Sequence, residues 1–320
     1  MELVAGAGGF IGGHLVKHLI AEGFKVKAVD VKPMEDWYQV HPEAFNQSKN
    51  LKLKEECDDV IEKTTRVWNL AADMGGMGFI SNNKAACMMS VLINTNLLDA
   101  AKNFDVENFF FSSSACVYPD YRQEKPDITP LAESDAYPAQ PEDGYGWEKL
   151  FSERMCRHYF EDYGLSTYIG RFHNVYGPLG TFDGGREKAP AAICRKVAKA
   201  KITGNKEIEI WGDGEQTRSF MYIDDCIKGT TELVGSTFHD PLNIGSAEVV
   251  TINQLVSIVE EIAGIRVERK YDLSAPQGVR GRSSDNTLFR SLFGWEPSTP
   301  LQKGLETTYE WIYNEIVKTN

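Results

Sequence analysis

Residues 3–30, LVAGAGGFIGGHLVKHLIAEGFKVKAVD, decide the fold. Leu3 to Ala5 form a short apolar run that reads as a strand and enters a glycine-rich turn directly. Beyond the turn, Leu15, Leu19 and Ile20 share one helical face, and Gly23 ends that helix. Val26 to Val29 read as a second strand that stops at Asp30. Glycines at positions 6, 9 and 12 give the turn a GxxGxxG spacing. Gly6 permits a tight turn, Gly9 lets backbone approach a diphosphate, and Gly12 lets the helix pack on the strand. The helix N-terminus then turns its free N–H groups and the positive end of its dipole toward the phosphates. Asp30 follows Gly12 by 18 residues, near the ~20 expected of an acid that bonds both ribose hydroxyls. A carboxylate there repels a 2′-phosphate, so the expected cofactor is NAD rather than NADP.

Working outward, strands and helices keep alternating. RVWNLAA (66–72) reads as a strand, 82–103 as one long helix, and 107–118 as an apolar strand entering a serine-rich turn. Residues 144–163 read as a second long helix and 166–177 as another strand. This order predicts an α/β fold, a Rossmann-type doubly wound parallel sheet with helices on both faces. After about residue 172 the pattern shifts to Gly/Pro-rich segments (177–190, 211–220, 274–286) between helices at 189–200, 252–263 and 301–317. We expect a smaller α/β substrate domain there. The division is 1–172 plus 218–246 for the NAD-binding domain and 173–217 plus 247–320 for the substrate domain.

The 320 residues are 42% hydrophobic and 25% charged, the balance of a globular chain rather than a disordered or fibrous one. A net charge of −12 argues against a nucleic-acid surface, so an anionic ligand needs a local basic cluster. No apolar run reaches the ~20 residues of a membrane span, and the N-terminus lacks the marks of a secretory signal. Six scattered cysteines without CxxC spacing read as reduced thiols, which points to the cytoplasm. His14 and His18 are four apart on the first helix but lack further ligands, so no metal site is expected. His173 is left unassigned.

Tyr145 and Lys149, in DGYGWEK, fall on one helical face. A phenol titrates near 10. An adjacent ammonium and a positive nicotinamide favour its phenolate, which can take a hydroxyl proton while hydride leaves the same carbon. Ser112, Ser113 and Ser114 lie where a strand ends, at the edge of a parallel sheet's ligand crevice. Ser114 is the expected donor to the reacting oxygen, with Ser112 and Ser113 satisfying backbone.

Together GxxGxxG, NLAA, SSSACVYP and YxxxK resemble the extended short-chain dehydrogenase/reductase superfamily over nearly the whole chain. Longer strings sharpen the resemblance: ADMGGMGF (72–79), SSAC (113–116), IGRFHNVYGP (169–178), GGREKAPAA (184–192), WGDGEQTRSF (211–220) and VRGRSSDN (279–286) are similar to the GDP-mannose 3,5-epimerase family. The resemblance implies cofactor contacts from Gly6, Gly9, Phe10, Ile11, Gly12, Asp30 and Ala71, with Tyr145 and Lys149. It implies substrate contacts from Gly75, Ser114, Ala115, Cys116, Asn174, Glu187, Lys188, Ala189, Lys196, Gln216, Thr217, Arg218 and Arg282. Arg218, Arg282 and Lys196 are the candidates for the diphosphate, and Arg280 reads as a surface ion pair.

Cys116 and Lys188 decide the reaction. Inverting a carbon beside a ketone needs a base on one ring face and an acid on the other. Taken alone, Cys116 reads more readily as a buried thiol, and Lys188 as a solvated charge on a glycine-flanked loop. The resemblance makes them the acid/base pair. The implied cycle oxidises C4 through Tyr145, inverts C5 and C3, and returns the hydride. GDP-mannose then becomes GDP-L-galactose, together with its 3-unepimerised gulose relative. The rivals are an NAD-dependent C4-epimerase or 4,6-dehydratase, and a dinucleotide sensor without catalysis. A 4,6-dehydratase usually carries an Asp-Glu pair where this chain has Ala115-Cys116.

Two departures stand out. Ala5 replaces the family's usual threonine. Segment 49–60 is shorter than the family's and shows no match to the strand and acid that meet the adenine; either the loop is rebuilt, with Asp58 as the candidate, or residues are missing from this stretch. By the same resemblance, helices 82–103 and 144–163 pair two copies into a homodimer.

Overall fold

The computed structural model describes residues 1–319, and Asn320, the last residue of the expected substrate domain, lies outside them. The first half runs β1 (Glu2–Ala5), α1 (Phe10–Ala21), β2 (Val26–Asp30), β3 (Phe45–Ser48), α2 (Lys54–Ile61), β4 (Arg66–Asn69), α3 (Met77–Asn82), α4 (Lys84–Met88), α5 (Val91–Asn103), β5 (Asn108–Ser114), α6 (Tyr145–Tyr163) and β6 (Ser166–Phe172). The second runs β7 (Val175–Tyr176), α7 (Ala189–Thr203), β8 (Glu207–Trp211), β9 (Thr217–Ser219), β10 (Met221–Tyr222), α8 (Ile223–Val234), β11 (Leu242–Ile244), β12 (Val249–Thr251), α9 (Ile252–Ala263), β13 (Glu268–Asp272), β14 (Gly281–Arg282), α10 (Thr287–Phe293) and α11 (Leu301–Thr319).

Seven strands make one sheet in the order β11-β6-β5-β4-β1-β2-β3, with every pairing parallel. From β1 the chain winds one way through β2 and β3; from β4 it winds the other way. That reversal opens a crevice outside the carboxyl ends of β1 and β4, the usual ligand site of a doubly wound sheet. The expected Rossmann-type α/β architecture is what forms.

Its strands are apolar because both faces are covered. Alternate residues feed opposite layers. Val4 and Phe110 join a core with Leu15, Trp68 and Ile227, whereas Leu3, Phe109 and Phe111 join one with Val67, Leu97 and Ile169. Another core is built by α7, α9, α11 and β8 through Ile193, Val197, Ile208, Leu255, Leu305 and Ile312.

Two expectations fail locally. The long helix over 82–103 is instead α3, α4 and α5. Asn83 leaves the helical region, with φ −130° and ψ 39°, and its side-chain amide donates to the Phe79 carbonyl at 2.8 Å. Buried Ser90 accepts the Asp73 N–H at 2.9 Å. Such side chains compete with the helical ladder, and α3 instead places Ile80 in one cluster with Cys116 and Tyr145.

The second concerns 49–60. A strand does form just before it, as β3, but β3 is the polar, partly exposed edge FNQS and has no apolar run to reveal it. Asp58 lies on α2, 3.6 Å from Lys54, and not at a strand end. Asn50 follows the carboxyl end of β3, its Oδ1 accepting the Lys52 N–H at 3.2 Å.

Candidate active site

The glycine turn closes as the spacing requires. Gly6 has φ +87°, and a Cβ on Gly12 would collide with the Gly6 carbonyl oxygen. Asp30 locks the turn, its carboxylate accepting the N–H groups of Gly8 and Lys32, each at 3.0 Å. Helix α1 begins at Phe10 and Ile11, behind Gly9, with no side-chain cap and no acid in its first turn. Its leading amides are free to meet a phosphate, so these residues fit a dinucleotide. Across the crevice, buried Asn69 holds the Ala71 N–H at 3.3 Å and bonds Asn94 at 3.0 Å. Trp37, which the sequence reading passed over, packs on the turn at Gly8.

The reactive side chains meet where β5 ends and α6 begins. A Cβ on Gly146 would strike the Cys116 carbonyl oxygen, so only glycine lets α6 lie this close. The Glu142 N–H donates to the same carbonyl at 3.0 Å. Tyr145 and Cys116 therefore share one buried cluster with Ile80 and Cys87, and Met74, Met77 and Phe79 pack against it. Lys149 is almost wholly buried one turn on, its Nζ 5.5 Å from the Tyr145 ring centre and 3.7 Å from the Glu148 carboxylate. Ser114 accepts the Cys116 N–H at 3.1 Å, which fixes the turn that carries Ala115 and the thiol. Ser112 satisfies backbone as expected, donating to the Asn69 carbonyl at 3.0 Å. Ser113 does not: it donates to Glu153, which forms a buried pair with Arg171 at 2.7 Å.

Burial dominates the electrostatics. It holds the Tyr145 phenol well above its ordinary value, with charge at Cys116 and Glu148 adding and a hydrogen bond from Ser114 opposing. Burial also pushes the Cys116 thiol up, and the Arg282 guanidinium is the first influence pulling it down. Burial pulls the Lys188 amine down, against charge at Cys116 and Cys226. The two shifts share one cause: burial favours the uncharged thiol and the uncharged amine alike.

Arg282, one of the diphosphate candidates, also reaches the thiol. Its Nη1 donates to the Cys116 sulfur at 3.4 Å and its Nε to Gln123 Oε1 at 2.6 Å. Gln123 is fully buried and pinned by Nε2 to the Tyr118 and Pro119 carbonyls. Arg218 fits an anion better. It donates only to the carbonyls of Thr217, Gln277 and Val279, and burial lowers it to about 9, with Arg282 next. Among the described residues no carboxylate lies within ion-pair distance of it.

The remaining candidates frame the cleft. Lys188 precedes α7, which starts at Ala189, and Glu187 pairs with Arg195 at 2.8 Å. The Gly76 N–H donates to the Arg186 carbonyl at 2.9 Å. Arg186 reaches back to Asp73 at 2.9 Å and lies 3.7 Å above the Phe79 ring. The Gly75 and Lys188 loops are thus clasped together. Gln216 is buried and donates to the Trp211 carbonyl at 2.9 Å, and Thr217 donates to the Pro126 carbonyl. Asn174 has φ +47° and donates to the Ser219 carbonyl at 3.0 Å. Lys196 donates to the Glu209 carbonyl at 2.6 Å. Arg280 forms the expected surface pair, with Asp213 at 2.9 Å. His173 is fully buried on Asn243 at 2.9 Å, and burial drives it down to about 3, so it stays neutral.

Sequence reasoning missed Arg282 on the sulfur, Gln123, Glu142 and Arg186. Only Glu142 carried a signal, three residues before the tyrosine.

Comparison with known proteins supplies a frame. The model of the NAD dependent epimerase/dehydratase family matches residues 2–245. The chain is 45% identical over 317 residues to GDP-mannose 3,5-epimerase 1 of Oryza sativa subsp. indica, covering 98% of this chain and 82% of that protein. It is 45% identical over 320 residues to GDP-mannose 3,5-epimerase of Arabidopsis thaliana, with the same coverage. Among solved structures, UDP-glucuronic acid 4-epimerase from Bacillus cereus, in complex with UDP-glucuronic acid and NAD, superposes with a TM-score of 0.84 at 26% identity, covering 98% of this chain and 100% of that one.

Proposed function

The chain belongs to the NAD dependent epimerase/dehydratase family, and from that premise we propose that it converts GDP-α-D-mannose to GDP-L-galactose as a GDP-mannose 3,5-epimerase. The Bacillus cereus protein of similar fold is by its name a 4-epimerase, and for inversion at C4 a thiol and an amine have no task. The observation that carries the reading is the buried Cys116 thiol, clustered with Tyr145 and within the electrostatic reach of the half-buried Lys188.

NAD is the cofactor, and when bound it supplies a reversible hydride acceptor and a cationic ring. Gly6, Gly9, Gly12, Asp30 and Ala71 hold it. Tyr145 takes the C4 hydroxyl proton, with Lys149 behind its ring and Ser114 bonding the same oxygen. The C4 ketone acidifies C5 and C3. Cys116 removes a proton from one ring face, and Lys188 delivers one to the other. Fixed donors at Ser114 and Tyr145 stabilise the enolate oxygen without reorganising. Arg218 binds the diphosphate as a desolvated, unpaired cation. The C4 hydroxyl is then restored, so the net change is isomerisation.

Incubating the protein with GDP-mannose in deuterated water tests this reading. Deuterium is expected at C5 and C3 of the recovered sugars. An enzyme that turned over and labelled neither carbon would be a C4-epimerase, and the reading would fall.

Two further assignments follow. Met88 at the end of α4, Met89 just after it, Leu92 on α5, and Trp147 and Phe151 four apart on α6 expose large apolar side chains. These form the pairing face of a homodimer, which sedimentation at micromolar concentration checks. Six free cysteines suit a reducing cytoplasm, and among the described residues no helix is long and apolar enough to cross a membrane.

A further inference from the structure

Inverting two carbons with one thiol and one amine leaves a problem in proton accounting. After the first inversion the sulfur holds the abstracted proton, as S–H, and the lysine is a free amine. The second inversion needs thiolate and ammonium again. A proton must leave the sulfur, and one must reach the amine, while the sugar stays bound.

The surroundings of Cys116 contain one group able to take that proton. Glu142 is tied to Cys116 through its backbone, N–H to carbonyl, at 3.0 Å. Its carboxyl lies within electrostatic reach of the thiol, and each shifts the other's proton affinity. Glu142 Oε2 is buried without a hydrogen-bond partner, and so is Nη2 of Arg282. Arg282 has its other terminal nitrogen 3.4 Å from the sulfur. The sulfur thus has a cationic donor and a carboxylate acceptor beside it, each with spare hydrogen-bonding capacity. Buried polar atoms are seldom left unpaired in a native site without a reason. The other charged or titratable groups facing this pair are Asp120, Asp143, Tyr145, Lys188 and Arg218, the last a cation that can take no proton. Lys188 is the acid of the reaction. Tyr145 is assigned to C4. Asp120 and Asp143 influence Glu142, but neither is tied to the Cys116 turn as Glu142 is.

We propose that Glu142 is the proton-exchange partner of Cys116, returning the thiol to thiolate between the two inversions. This rests on the 3,5-epimerase reading above. The S–H bond breaks and an O–H bond forms on the Glu142 carboxylate, giving thiolate and carboxylic acid. The acid passes its proton to water and becomes carboxylate again. Lys188 takes a proton from water and becomes ammonium. No oxidant or reductant enters, and the net result moves one proton from sulfur to amine through solvent. Arg282 stabilises the thiolate that remains.

The test uses wild type and Glu142→Gln, with two readouts on the full-length protein. The first is deuterium entry at C5 and C3 from solvent. E142Q is expected to lose on the order of 10²-fold in the rate of label entry at the carbon inverted second, the usual size of a lost acid–base group. It should also shift its product toward the singly inverted sugar. The second is the pH dependence of Cys116 alkylation without substrate. Removing a negative charge beside the thiol lowers its midpoint, so E142Q should alkylate at lower pH. Easier thiolate formation combined with slower inversion separates proton exchange from a structural role. Glu142→Asp, which keeps a carboxylate, is the second variant and should retain more label entry than E142Q. Label entry at the carbon inverted second in E142Q equal to wild type, or an unmoved alkylation midpoint, overturns the proposal. A wild-type protein that turned over but labelled neither carbon would overturn the 3,5-epimerase reading instead.

Discussion

Arg282 donates from Nη1 to the sulfur of Cys116 at 3.4 Å. It makes this thiol unlike the other five, which are also buried but have no guanidinium hydrogen-bonded to the sulfur. Burial raises Cys57, Cys87, Cys156, Cys194 and Cys226, to about 11 for Cys87 and about 12 for Cys57. Arg282 works against the same penalty at Cys116. Replacing it with methionine, Arg282→Met, is expected to slow Cys116 alkylation at neutral pH by about tenfold, one unit in the thiol's proton affinity. The alkylation midpoint moves up, opposite in sign to E142Q.

Tyr145→Phe and Cys116→Ala should fail at different stages. Without the phenol no C4 proton is accepted, and turnover is expected to fall by roughly 10²–10⁴-fold. Cys116→Ala keeps C4 oxidation, seen as absorbance of reduced nicotinamide, yet admits no deuterium at C5 or C3. Label entering C5 or C3 at the wild-type rate in C116A would remove the thiol from the mechanism.

Gly146→Ala tests the contact that brings α6 to Cys116. The new methyl meets the Cys116 carbonyl oxygen, and backbone cannot swing aside as a flexible side chain would. A loss of about 1–3 kcal/mol is expected in urea unfolding, with activity falling further as the phenol and thiol separate. A variant with unaltered stability would mean that the backbone relaxes freely there.

His173 sets a pH dependence. Its folded value of about 3 lies below the ordinary 6.5, so below pH 6.5 the unfolded chain binds a proton that the native state refuses. Its contribution is complete above pH 6.5 and is lost as pH falls toward 3, at about 1.4 kcal/mol per pH unit. Urea unfolding at pH 7 and pH 5 should show a smaller difference for His173→Gln than for wild type. Equal differences would show that the imidazole protonates without unfolding.

The sheet was legible because its strands are covered on both faces and leave long apolar runs, as at Phe109–Phe111. Edge strand β3 was not, since an edge needs little apolar surface and FNQS has little. Helix breaks at Asn83 and Ser90 escaped notice because their causes, bonds to Phe79 and Asp73, are made in three dimensions. Within the site, the glycine spacing and the Tyr145/Lys149 pair could be read locally. Arg282 could not: it lies 166 residues from Cys116 in sequence, and nothing in RGRSSDN says which arginine turns inward.

The Gly146 contact has one more consequence. Phenol and sulfur hang from a single stiff block, joined by backbone touching backbone, so the spacing between them cannot be retuned midway through a reaction. Three carbons of one hexose must nonetheless visit these two groups in turn. On the proposed cycle, then, the repositioning between steps falls to the sugar rather than to this block.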